Sequence, residues 1–196
     1  AGLGAIRAWL DQFWGANLAS FAAALEAEEG KERTMTTTAK IAPVTASVDV
    51  SVPPDKAFTL FTTRMTDWWP SEYAMVPTPR QVVIEPRKGG RWYEKGADGT
   101  ERLVATVAAW EPARKAAFDW HIDAMWQSDP KLATEVDIRF APAGNATKLT
   151  LEHHNMERFG EQAEATRAAL AGPGGWGDIL AGFARFAAGA KDKGPA

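Results

Sequence analysis

The chain of 196 residues has no cysteine, which removes disulfides, thiolate metal sites and thiol nucleophiles together. A chain without disulfides is compatible with a reducing compartment. Histidine is scarce, with three residues. Excess charge of one sign is lacking too: 22 Lys and Arg against 25 Asp and Glu leave a net charge of −3, which supplies no field to attract nucleic acid. The sequence holds no uninterrupted apolar run long enough to span a bilayer. Its first apolar residues are spaced rather than continuous, unlike a signal peptide. The expected setting is cytoplasmic.

What is present is ordinary in bulk, with 45% apolar and 24% charged residues, except for nine tryptophans. So many indoles point to a bulky aromatic core or to an aromatic-lined cavity. The length suits one well-cored domain plus an appendage. Residues 1–33 carry Leu10, Trp14, Leu18, Phe21 and Leu25 at steps of three and four, which predicts an amphipathic helix stopped near Gly30. Residues 34–43 lack periodicity and read as a linker, and residues 191–196 as a disordered tail.

From Val44 the period changes to two: Val44, Ala46, Val48, Val50 and Val52 alternate with polar residues, the pattern of a half-buried strand. Pro53-Pro54-Asp55 opens a short helix, and a second runs from Met65 to Trp69, stopped by Pro70. Strands are then expected over residues 81–85, 91–95, 102–110, 115–122, 133–140 and 147–153. Gly89-Gly90 reads as a bulge or close approach between strands, and Asp98-Gly99 as a hairpin turn. Helices are expected over 161–171 and, after Gly172-Pro173-Gly174-Gly175, over 176–190. There Trp176, Ile179, Leu180, Phe183, Phe186 and Ala187 share one face. A curved antiparallel sheet needs one face covered, and this last stripe can cover it.

The stretches "VDVSVPPDKAFTLFT" (48–62), "DWWP" (67–70), "EPRKGGRWYE" (85–94), "VAAWEPARKAAFDWHI" (107–122), "TKLTLEHHNMERFG" (147–160) and "GGWGDILAGFARF" (174–186) resemble, in consistent order, the START-like superfamily known as SRPBCC. Within it the chain looks most like the bacterial family named after the activator of the heat-shock-chaperone ATPase. The resemblance implies an α+β helix-grip fold over residues 44–190, a sheet of about seven strands around a long C-terminal helix, with a cavity between them. Relatives include ligand carriers, cyclases and chaperone activators, so the resemblance does not fix an activity. Residues 5–29 are similar to the C-terminal dimerisation helix of ArsR-type regulators. No DNA-reading winged helix is present in this sequence, so direct nucleic-acid binding is not implied.

Two histidines stand side by side in "LEHHN", 151–155. Adjacent strand residues face opposite ways, so with Leu149 and Leu151 inward, His153 should face the enclosed space and His154 solvent. The pair cannot jointly grip a metal from a regular strand, and His121 is expected outward, opposite Trp120. His153 is either a core histidine bonded within the fold or a polar group at the end of a cavity. Glu94 shares parity with Trp92 and is its possible companion; together they could support acid–base chemistry. Trp68, Trp69, Trp92, Phe118, Trp120 and Trp176 either fill the core or frame an aromatic pocket. Trp126, in the loop after residue 122, is a candidate lid or partner contact. No cofactor or metal site is expected.

The reading that follows is a non-catalytic domain binding a small hydrophobic ligand through Trp68, Trp69, Trp92, Glu94, Phe118, Trp120, His153 and Trp176. The alternatives are a chaperone ATPase activator-like co-factor, or a cofactor-free cyclase or hydrolase using His153 and Glu94. The first helix should form a homodimer, its large apolar side chains supplying on the order of 10 kcal/mol before association entropy is subtracted. Deleting residues 1–33 should therefore yield a monomer by light scattering; an unchanged oligomeric mass would refute the assignment.

Overall fold

The structure, a computed structural model, describes residues 40–78 and 80–190. The helix expected over residues 1–33, most of the linker and the tail 191–196 lie outside the described residues.

Seven strands form one antiparallel sheet: β1 (Val44–Val50), β2 (Arg80–Ile84), β3 (Arg91–Gly96), β4 (Glu101–Glu111), β5 (Lys115–Trp120), β6 (Thr134–Ala143) and β7 (Ala146–His154). Their order is β1-β7-β6-β5-β4-β3-β2, so β1 and β2 are the edges although they follow each other in sequence. Between them lie α1 (Pro54–Thr63) and α2 (Met65–Trp68). After β7 come a 3-10 segment (Met156–Gln162), α3 (Ala163–Ala171) and α4 (Trp176–Gly189). This is the α+β helix-grip arrangement.

Alternation decides which face is covered. Along β7 Thr147, Leu149, Leu151 and His153 are fully buried, while Lys148 is exposed and Glu152 and His154 half-buried. Register shifts in the β3–β4 and β4–β5 pairings bend the sheet, as bulges do. Gly90 lies in the turn between β2 and β3, where a β-carbon would lie 2.4 Å from the carbonyl of Glu85, so only glycine fits.

The concave face takes the apolar stripe of α4, whose Trp176, Ile179, Leu180, Phe183 and Ala187 are buried at helical spacing. Phe183 packs edge-on against Phe61 at 5.0 Å and beside Trp68 at 5.0 Å, joining α4 to α1 and α2. Burial of each such side chain stabilises the fold by roughly 1.5–3 kcal/mol, so this stripe is what holds the helix in the sheet.

One outward residue is covered rather than solvated. His121 shares the outer face with Thr106, as its parity requires, yet it is buried rather than solvated. Residues 123–132 fold back over that face: the Asp129 N–H donates to the His121 carbonyl at 2.7 Å, and the ring bonds Thr106 Oγ1 and the Leu132 carbonyl. A loop can cover an outward residue, and alternation carries no information about loops.

Candidate functional site

The site is built where α4 begins. Gly175 precedes it, and a β-carbon there would lie 2.2 Å from the Leu170 carbonyl, so glycine lets the end of α3 abut the start of α4. Trp176, the first residue of α4, then drops its indole into the sheet. Trp69, Trp92, Trp120 and Trp176 close a ring of mostly edge-to-face contacts, with centroids 5.2 Å (69–92), 5.5 Å (92–120), 5.3 Å (120–176) and 6.4 Å (69–176) apart. Edge-to-face packing at such distances is favourable beyond the area it buries.

His153 lies against this ring, and its chemistry is fixed by its partners. The indole N–H of Trp176 can only donate, and it points at His153 Nδ1 at 3.2 Å. Nδ1 is therefore the acceptor, the ring proton sits on Nε2, and Nε2 donates to Thr134 Oγ1 at 2.8 Å. Thr134 is within reach because it lies diagonally across the β6–β7 pairing, two residues before Val136, the direct partner of His153. Burial, and secondarily the neighbouring His154, pushes the His153 pKa down to about 3. The imidazole is neutral and both nitrogens are engaged. His154 lies on the opposite face, 3.4 Å from Glu152.

Beside the ring is a cavity of about 470 Å³. Trp69, Glu94, Trp120 and Trp176 line it, together with Val104, Ile122, Leu170 and Ile179. Trp68, Trp92, Phe118 and His153 do not. Trp68 bonds the Phe61 carbonyl and packs between Phe61 and Phe183. Phe118 stacks edge-on against Trp92, which lies behind Trp69 and Trp120. Inward parity placed these residues in the core but could not give their depth. His153 and Glu94 therefore do not share the cavity wall.

Glu94 is 1% exposed. Its Oε2 accepts the Met75 backbone N–H at 2.7 Å, while Oε1 lies 3.5 Å from Arg80 Nε with no hydrogen bond made by either atom. Arg80 is held from behind the wall, its Nη2 donating to the carbonyls of Pro70 at 3.0 Å and Trp69 at 3.4 Å.

The mouth is formed by segments without periodicity. Tyr73 donates its hydroxyl to the Gly174 carbonyl and the Gly174 N–H donates to Asp178, which ties residues 71–75 to the turn before α4. Burial, then Glu72 and Asp178, raises the Tyr73 pKa. Trp126, 51% exposed and with a positive φ of 59°, borders the opening. Tyr73, Met75, Leu170 and Ile179 were not singled out from sequence. Ile179 was legible as a stripe residue, and the others had no signal beyond lying near a proline or glycine break. Among the described residues no group of three or more His, Asp or Glu could hold a metal.

Seven antiparallel strands closed on a terminal helix over an enclosed space define the helix-grip class. Within it, the chain belongs to the family described as Activator of Hsp90 ATPase homolog 1-like protein, whose profile matches residues 51–188. Among solved structures it is similar to the anthrahydroquino-γ-pyrone synthase Txn09 complexed with SUM, at 37% identity over 74% of this chain and 97% of that one, with a TM-score of 0.53. It is also similar to CalC, a self-sacrificing resistance protein from Micromonospora echinospora, at 25% identity over 78% and 98%, with a TM-score of 0.58. A Rhodobacter sphaeroides protein at 18% identity, covering 78% and 95% with a TM-score of 0.55, shares the fold. No curated protein matches the chain significantly.

The neutral His153 sets a pH dependence. In the unfolded chain it binds a proton at its ordinary value of 6.5, in the folded chain only at about 3. Between those values the unfolded state holds more protons, so stability falls as pH falls, and above them the group has no effect. The slope is about 1.4 kcal/mol per pH unit. Urea unfolding should show a loss of about 2 kcal/mol between pH 6.5 and 5 that is absent in His153→Asn; equal pH dependence in both proteins would contradict the assignment.

Proposed function

We propose that the chain binds a small, largely apolar molecule, without transforming it, in the cavity beneath α4. The observation that carries this reading is the space itself: about 470 Å³ with walls of indole and aliphatic groups and one buried carboxylate. That size and lining match small-molecule sites, which are mostly apolar with a few placed polar groups. Trp69, Trp120 and Trp176 would supply rigid contact area and Glu94 the polar anchor. Trp68, Trp92, Phe118 and His153 would act from behind, by fixing those walls. No helix among the described residues is long and apolar enough to cross a membrane. A cytoplasmic setting and a homodimer through residues 1–33 belong to the same proposal, supported by sequence alone.

One observation favours a second reading. Txn09, 37% identical over nearly its whole length, is a synthase. Synthase-type chemistry on an aromatic substrate would use the same cavity, with Glu94 as proton acceptor. His153 would serve only to hold Trp176, since both its nitrogens are occupied. A chaperone-activating role has the family name behind it, and would be read by stimulation of a chaperone ATPase.

Nile red, a neutral lipophilic dye, should bind the full chain at micromolar concentrations and quench tryptophan fluorescence. Val104→Trp, which projects an indole into the cavity from β4, should weaken binding at least about tenfold, since it occupies part of the space the dye would fill. The variant should keep a cooperative thermal transition. Absence of dye binding to the parent chain, or equal binding by a folded Val104→Trp, would overturn the proposal.

A further inference from the structure

We propose that the ligand is bipartite: an apolar ring system in the cavity beneath α4, carrying a polyhydroxylated arm, such as a glycosyl group, that lies in a second recess beyond Trp126. This rests on the cavity reading and deepens it, by naming what the outer half of the site would hold.

The second recess, about 510 Å³, adjoins the first and shares Ala74, Met75 and Trp126 with it. Arg102 carries the concave face from one to the other: it pairs directly with Glu94 across β3 and β4, so both side chains leave the sheet on the same side. The two linings differ in kind. Indole and aliphatic groups dominate the inner one, whereas Glu101, Arg102, Gln127 and Ser128 give the outer one polar walls. A purely apolar molecule would fill the first and leave the second to water.

Those polar groups offer donors and acceptors together. Arg102 gives one N–H to the Glu101 carbonyl at 3.2 Å and keeps the rest of its fork. The Ser128 hydroxyl donates to the Leu103 carbonyl at 2.7 Å, which leaves its oxygen to accept. Gln127 donates to the Met125 carbonyl at 3.4 Å and has its amide oxygen left over. The Glu101 charge is balanced by Arg91 at 3.1 Å and Lys95 at 3.9 Å. A carboxylate or an ammonium group would use one half of such a set and meet the other half as a mismatch. A hydroxyl both donates and accepts, so a run of hydroxyls uses all of it.

Trp126 supplies a flat surface between the two compartments. Its indole is 51% exposed, so the fold gains little by burying it, and its backbone is held at φ 59°, an uncommon conformation for a bulky residue. Asp123 imposes that conformation, its carboxylate accepting the N–H groups of Met125 and Gln127, each at 2.8 Å. Backbone strain maintained to present an indole at a binding rim points to a use for the indole face. Set between an apolar cavity and polar walls, that face matches the C–H side of a sugar ring, apolar in its middle and hydroxylated at its edge.

Calorimetry on the full chain with a set of naphthalenes tests this: 2-methoxynaphthalene, 2-naphthyl β-D-glucopyranoside and (2-naphthyloxy)acetate. The glucoside should bind about tenfold more tightly than the methyl ether, the scale of a pair of net hydrogen bonds between protein and ligand, and the oxyacetate no more tightly than the ether. Trp126→Ala and Arg102→Ala should each lower the ratio of glucoside to ether affinity by at least about threefold. A general loosening of the fold would weaken both probes and leave that ratio alone. Equal binding of glucoside and ether by the parent chain, or a ratio that either alanine variant leaves unmoved, overturns the proposal while the cavity reading stands. Tightest binding by the oxyacetate would overturn it too, and mark Arg102 as an anion site. If neither Nile red nor any naphthalene binds, the cavity reading falls and takes this one with it.

Discussion

A single buried hydrogen bond, from the Trp176 indole to Nδ1 of His153, ties the first residue of the last helix to the seventh strand. Both partners are removed from water, with Trp176 2% exposed and His153 0%. Losing either would strand a buried polar group, at a cost of roughly 1–3 kcal/mol. The bond also has one allowed direction, since indole has no acceptor nitrogen. That direction fixes the histidine tautomer, and the tautomer in turn determines that Thr134 receives the second bond. Strand six, strand seven and the last helix are thereby locked into one mutual arrangement.

Space follows from that lock. With Trp176 pinned, its ring completes the circuit of four indoles, and such flat, rigid groups cannot flow to fill the concavity as aliphatic chains would. The strip between the indoles, Val104 on β4 and Leu170 at the end of α3 stays open. Two irregular segments, 71–75 and the loop carrying Trp126, rim the opening instead of plugging it. The floor is not wholly apolar, because Glu94 is there, one oxygen bonded to the Met75 N–H and the other facing the Arg80 guanidinium at 3.5 Å.

Much of the fold was readable without coordinates, because period-two alternation and the 3.6-residue stripe are local signals. The inward parity of Trp92, Glu94, Phe118, Trp120 and His153 came from the same signal. Depth did not. Whether an inward residue reaches a cavity or lies behind another ring depends on which helix sits opposite, so Trp69 lines the site while its neighbour Trp68 packs between Phe61 and Phe183. Partners at long sequence separation were equally invisible: the Met75 N–H meets Glu94 from an irregular segment and Arg80 from the first residue of β2. His121 points outward as its parity requires, but that it is covered was not legible, because the course of the returning loop over it is encoded by no alternation.

The account stands on the bond between Trp176 and His153, and nitrogen-detected magnetic resonance of the His153 ring tests it most directly. An unprotonated Nδ1, a protonated Nε2 and a slowly exchanging Trp176 indole proton, all unchanged from pH 8 to 5, are the predicted result. An imidazole that titrates near its ordinary 6.5, beside an indole proton exchanging as freely as an exposed one, would contradict it.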